Sequence, residues 1–128
     1  MCNASMFNFE KLDVWQKAID FADLVYKLTR QFPDEERFGL TNQMRRAAVS
    51  ISSNIAEGSS RSSKSDFARF VEIATGSVFE VISQAFIAHR QSFLSEDQFR
   101  KIYTDAEELS RMLSGLRKSL LSTLNSQL

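Results

Sequence analysis

Side chains that could move protons, hold metals or attack carbonyl groups are few along this chain and poorly spaced for that work. It has one histidine, His89, and one cysteine, Cys2. A zinc centre gathers about four His, Cys or carboxylate ligands, and one of each nitrogen and sulfur donor does not make one. A di-iron bundle needs Glu-x-x-His on facing helices. Phe86 stands three residues before His89, and there is no second histidine. Neither a Gly-rich phosphate loop nor a G-x-S-x-G elbow occurs. Carboxylates do recur, as Glu72, Glu80 and the pair Glu107-Glu108, but helical spacing puts them on polar faces. The expectation is a protein without catalytic residues, metal or cofactor.

Two polar residues read as structural. His89, close to a helix C-terminus, suits a packing or capping role with a favourable contact to the helix dipole. Asn54, one turn from Ser50 and near Glu57, lies at the edge of an apolar stripe. Buried polar groups there find partners and can fix register.

Charge offers a different chemistry. The 16 basic and 16 acidic side chains cancel, whereas a dedicated duplex-DNA binder carries a basic excess. The distribution is uneven. Residues 37–69 carry 6 basic and 2 acidic groups, and no acid occurs from Arg37 to Ala56. Arg45 and Arg46 lie in that stretch. Arg61 and Lys64 sit at a turn that opens a helix, where free N–H groups favour anions. One reading is a contact to the phosphate backbone of RNA or DNA through Arg45, Arg46, Arg61 and Lys64. The other is a solvated turn with salt bridges between subunits, for example to Asp34-Glu35-Glu36.

The elements that position these residues are helices. With 128 residues, 43% of them hydrophobic, the chain suits one domain with a real core. Four glycines and one proline are too few for a many-turned β fold. Apolar periodicity predicts helices over about Asp13–Gln31, Leu40 or Thr41–Glu57, Ser63–Gln91 and Glu96–Leu121. The inward stripes read Trp15, Ile19, Ala22, Tyr26 and Thr29 in the first. In the second they read Leu40, Met44, Ala47, Ile51 and Ile55. Asp13, Thr41 and Ser63 are predicted caps, Ser95 with Gln98 a capping box, and Gly58 a left-handed stop. Short links make an all-α, antiparallel, up-down-up-down four-helix bundle, with residues 9–121 as its core and frayed tails. The runner-up is a three-helix bundle with a long helical arm. No basic leader and no apolar run of about 20 residues is seen, and a single cysteine fits a reducing compartment. Both point to the cytoplasm.

The first three helices carry more apolar rows than one bundle fills. Val14, Phe21, Val25 and Leu28 form a second row on the first helix. Val49, Ser52 and Ala56 form one on the second. Phe79, Phe86 and Phe93 recur at heptad spacing on the third, beside Gly76, which needs a packing reason. One reading is a homo-oligomer interface containing Phe21, Val49, Ser52, Ala56, Phe79 and Phe86. The alternative is cover from the subunit's own ends, loops and Phe7 and Phe9.

The stretches VWQKA, FPDEERFGLTNQMRRAAVSI, SNIAEG and IATGS resemble the four-helix-bundle family of 23S ribosomal RNA intervening-sequence proteins, over about residues 9–120. The resemblance implies a left-handed bundle, commonly a ring-like homopentamer, without enzyme activity. The family pattern usually has proline where Ser52 stands here, so a straighter second helix is expected. The fold is also similar to the accessory protein of diversity-generating retroelements, a basic pentamer that binds nucleic acid. That likeness again points to Arg45, Arg46, Arg61 and Lys64.

Overall fold

The computed structural model describes residues 7–126, with side chains described as far as residue 122. Cys2 and the outermost parts of the tails lie outside the described residues. A short 3-10 turn, Asn8–Lys11, leads into α1 (Asp13–Thr29). A second such turn, Asp34–Glu36, precedes α2 (Leu40–Ser59). Two longer helices follow, α3 (Lys64–Arg90) and α4 (Glu96–Ser126).

Each helix packs on its neighbour in the chain, and α4 returns to pack on α1. The diagonal pairs, α1 with α3 and α2 with α4, do not come together. The four helices therefore form a square in section around one core, with antiparallel neighbours joined by short links. Among the described residues there is no strand. Since α4 packs on two helices, it is a wall of the bundle and not a free arm.

Helix ends follow local chemistry. The Ser63 hydroxyl accepts from the Asp66 N–H at 3.0 Å. At α4 the capping box is reciprocal: Gln98 N–H donates to Ser95 Oγ at 3.1 Å, and Ser95 N–H to Gln98 Oε1 at 2.9 Å. Three predicted ends differ. Gly39, not Thr41, is the N-cap of α2, and Thr41 is buried within that helix. Leu12 is the N-cap of α1, which puts Asp13 in the first turn, where its charge still favours the dipole. Gly58 does not stop α2 in a left-handed conformation; it lies within the helix and no glycine has positive φ. A Cβ there would lie 2.7 Å from Phe70 Cβ and 2.8 Å from Phe67 Cδ1. Gly58 is small because α3 crosses it closely.

The core stripe of α2 is the predicted one: Leu40, Met44, Ala47, Ile51 and Ile55 are all buried. The helix runs unbroken through Ser52, where the family pattern has proline. In α1 the rows are exchanged, except that Thr29 is buried as predicted. Val14, Ala18, Phe21, Val25 and Leu28 face the core, while Trp15, Ile19 and Ala22 are half-buried and Tyr26 is exposed. Ala18 decides it: it completes a continuous i, i+4, i+7, i+11, i+14 row, the seam a bundle helix needs. Phe9 then packs at a tilt against the half-buried Trp15, with ring centroids 4.9 Å apart, and Phe7 stacks on Phe9 at 5.7 Å.

Candidate functional site: the outer face of α3

α3 is apolar on more sides than the core requires. Its inward row, Val71, Ala74, Val78, Val81, Ala85 and Ala88, is sealed in the core. Four large apolar side chains stay on its outer side. Ile73 is 44% exposed, Phe79 60%, Phe86 46% and Ile87 51%. Covering each would recover roughly half of the ~1.5–3 kcal/mol that full burial is worth. Among the described residues α3 is the one helix long and apolar enough to cross a membrane. The division of its apolar residues between an inner and an outer row accounts for that composition.

The face has two flanks. Toward α4, Phe79, Ile82 and Phe86 line a groove with Tyr103, Glu107 and Arg111. Phe86 packs edge-on against Phe99 at 4.8 Å, and His89 stacks on the same Phe99 ring at 4.9 Å. His89 Nε2 lies 2.9 Å from Glu96 Oε2, so the histidine ties the end of α3 to the start of α4. Glu96 also meets Arg100 at 3.0 Å. The hydrogen bond from Arg100 holds the Glu96 carboxyl below its ordinary value, with the nearby His89 adding to that effect against partial desolvation.

Toward α2 the flank is polar. Arg46, Ser50, Ser77, Glu80 and Gln84 line a cleft between the helices. Ser77 donates to Ser50 Oγ at 2.9 Å, and the Asn54 amide donates to the Ser50 carbonyl at 2.8 Å. Asn54 is thus a structural link along α2, one step from α3. Gln84 Oε1 is enclosed and receives no hydrogen bond, an omission that costs about 1–3 kcal/mol where no donor arrives. Between the flanks stands Gly76, exposed, with nothing within 4 Å of the place a Cβ would take. Nothing inside the subunit explains it.

The predicted interface residues divide. Phe79 and Phe86 lie on the outer face, Val49 is exposed on α2 and Ala56 is half-buried. Phe21, 2% exposed, and Ser52, 7% exposed, belong to the subunit's own interior and offer no outer surface. Phe21 sits on the true core row of α1, and Ser52 turns inward beside Ile51, donating to the Val49 carbonyl at 3.2 Å. Phe93 is covered within the chain by Phe32 at 5.5 Å. Ile73 and Ile87 were missed, although their spacing of two heptads along α3 carried the signal.

The four basic residues divide as well. Arg45 donates to Thr29 Oγ1 at 2.9 Å and stacks over Tyr26 at 4.6 Å, so it closes the C-terminal end of α1. Arg61 pairs with Glu57 at 2.8 Å and with Asp66 at 3.7 Å, and lies over the Phe70 ring. Those carboxylates come from the same subunit, so no contact to Asp34-Glu35-Glu36 is needed. Arg46 and Lys64 are exposed and make no ion pair among the described residues. Two of the acids are likewise occupied: Glu72 meets Arg117 at 2.6 Å and Glu108 meets Lys17 at 3.1 Å. The Glu108 hydrogen bond holds the Lys17 ammonium above its ordinary value. Among the described residues, no three His, Cys, Asp or Glu side chains gather as metal ligands would.

The fold and the half-bare third helix define an all-α, up-and-down four-helix-bundle protein. Residues 10–115 match the family model of the 23S rRNA-intervening sequence protein, and the chain belongs to that family. It is similar to a protein of unknown function from the S23 ribosomal protein family of Bacteroides thetaiotaomicron, at 25% identity and a TM-score of 0.76. The match covers 82% of this chain and 95% of that one. No curated protein matches the chain.

Proposed function

We propose that this chain is a non-enzymatic interaction module that works as an assembly of its own copies. The observation that carries this is the outer row of α3, four large apolar side chains on a helix whose inner row already fills the core. Large apolar side chains left on the outer side of a helix gain stability when another surface covers them. The ring-like homopentamer implied by the family resemblance is one assembly that would do so. A reducing compartment such as the cytoplasm fits a chain with one cysteine.

Light scattering tests it. The wild type is expected at a multiple of 14.6 kDa, and Phe79→Asp with Phe86→Asp is expected to return it to one subunit with helicity intact. A single-subunit wild type at tens of micromolar would end the proposal.

A second reading, an accessory protein that binds RNA or single-stranded DNA, rests on Arg46 and Lys64, the exposed members of the basic set without ion pairs. RNA added to the same samples should bind less tightly to Lys64→Glu and steeply less as salt rises. Affinity indifferent to both sinks this reading.

A further inference from the structure

The cleft between α2 and α3 is polarised across its width. Its α2 wall carries Arg46 and Ser50, one turn apart. Its α3 wall carries Ser77, Glu80 and Gln84, at the i, i+3, i+7 spacing of one helix face. Both walls are helical, so their backbone groups are spent within the helices and side chains supply the polar contacts. The buried Ser77 forms the floor. Ser77 and the Asn54 amide both donate to Ser50 Oγ, at 2.9 and 3.0 Å. A hydroxyl accepts two hydrogen bonds and donates one, so the Ser50 proton remains to be given.

Three stronger groups on the same cleft have no partner among the described residues. Arg46 and Glu80, on opposite walls, make no ion pair with each other or with any other side chain. Gln84 Oε1 is enclosed and takes no hydrogen bond. One wall therefore offers donors, Arg46 and Ser50, and the other offers acceptors, Glu80 and Gln84 Oε1. An anion would pair with the first wall and be repelled by Glu80. A cation would pair with the second and be repelled by Arg46. A neutral polyol would forgo the charge-assisted bonds, which are about twice as strong as neutral ones. A molecule charged at both ends satisfies every group. The cleft holds about 280 Å³, close to the lower end of the range of about 300–1,000 Å³ for small-molecule sites.

We infer that the α2–α3 cleft binds a small zwitterion of the free amino acid class. Its carboxylate meets Arg46 and the Ser50 hydroxyl, and its ammonium meets Glu80 and Gln84 Oε1. Both walls belong to one subunit, so the site is complete without a second copy and stands apart from self-association.

Titration calorimetry of the full chain tests it, with glycine, L-alanine, L-serine and L-glutamine as probes. At least one should bind saturably, one molecule per subunit. The N-acetyl and the amide derivatives of that amino acid should each bind at least tenfold more weakly, because each keeps only one of the two charges. That comparison leaves the protein untouched. Arg46 and Glu80 are exposed, so Arg46→Gln and Glu80→Gln should keep the helical signal of the wild type. Glu80→Gln should lose the preference for the amino acid over its N-acetyl derivative, and Arg46→Gln the preference over its amide. No saturable binding of any probe at tens of millimolar overturns the inference. Binding that tolerates either cap, or that ignores either substitution, overturns it as well.

Discussion

At the scale of single residues, two glycines show how one residue type serves opposite ends. Gly58 is small because the Phe67 and Phe70 side chains of α3 occupy the place of its Cβ. Gly76 is small where its own subunit places nothing. The sequence marks Gly76 as exceptional within a helix and Gly58 as a helix stop, but it does not say which neighbour, if any, demands the space. Glu96 carries a measurable consequence at this scale. The Arg100 hydrogen bond, with His89 beside it, depresses the carboxyl below its ordinary value of 4.5. A carboxyl depressed in the folded state contributes stability above its unfolded value, and that contribution is lost as pH falls through the lowered one. Glu96→Gln should therefore flatten the fall in Tm between about pH 5 and 3, the range in which such a carboxyl titrates. A thermal-melt series across that range checks it, and equal slopes in both proteins would refute the assignment.

At the scale of elements, helices and their order were legible, because apolar periodicity and short links leave few other architectures. The facing of α1 was not. Its two apolar rows lie about a quarter turn apart, and either is apolar enough to face a core. The bundle takes the row that Ala18 makes continuous, and Phe9, with Phe7 stacked on it, packs against Trp15 from outside. Ser92 was also invisible as a special position. It ends α3 with φ 65, the left-handed conformation that glycine adopts at least cost. The Phe93 N–H reaches back to the Ala88 carbonyl at 2.8 Å and the Ser92 N–H to His89 at 3.0 Å. This paired closure is the one that usually recruits glycine. Ser92→Gly should raise unfolding free energy by about 0.5–1 kcal/mol. Urea denaturation measures it, and a loss of stability would show that the serine hydroxyl matters more than backbone strain.

At the scale of the molecule, a net charge of zero conceals separate territories. The basic stretch from Arg37 to Arg69 divides in the folded chain: Arg45 and Arg61 are committed inside the subunit, and Arg46 and Lys64 face outward. A linear count of charges could not make that separation for Arg45, whose partners Thr29 and Tyr26 lie on α1 and meet it only in the fold; those of Arg61, Glu57 and Asp66, are its neighbours along the chain. The excess of apolar surface was legible, while its address was not. Phe21 turned out to be core and Ile87 to be surface, since a count of rows does not say which row the bundle will use.

The square arrangement also shapes how the chain acquires its structure. Three of the four helix contacts join consecutive segments, so each can form as a local hairpin while the rest is still loose. Only the meeting of α1 with α4 must close a long loop. Such topologies reach their native state within microseconds to milliseconds, and stopped-flow refolding of dilute chain should finish within its dead time or shortly after. A phase lasting seconds, growing faster with concentration, would instead report subunits finding one another.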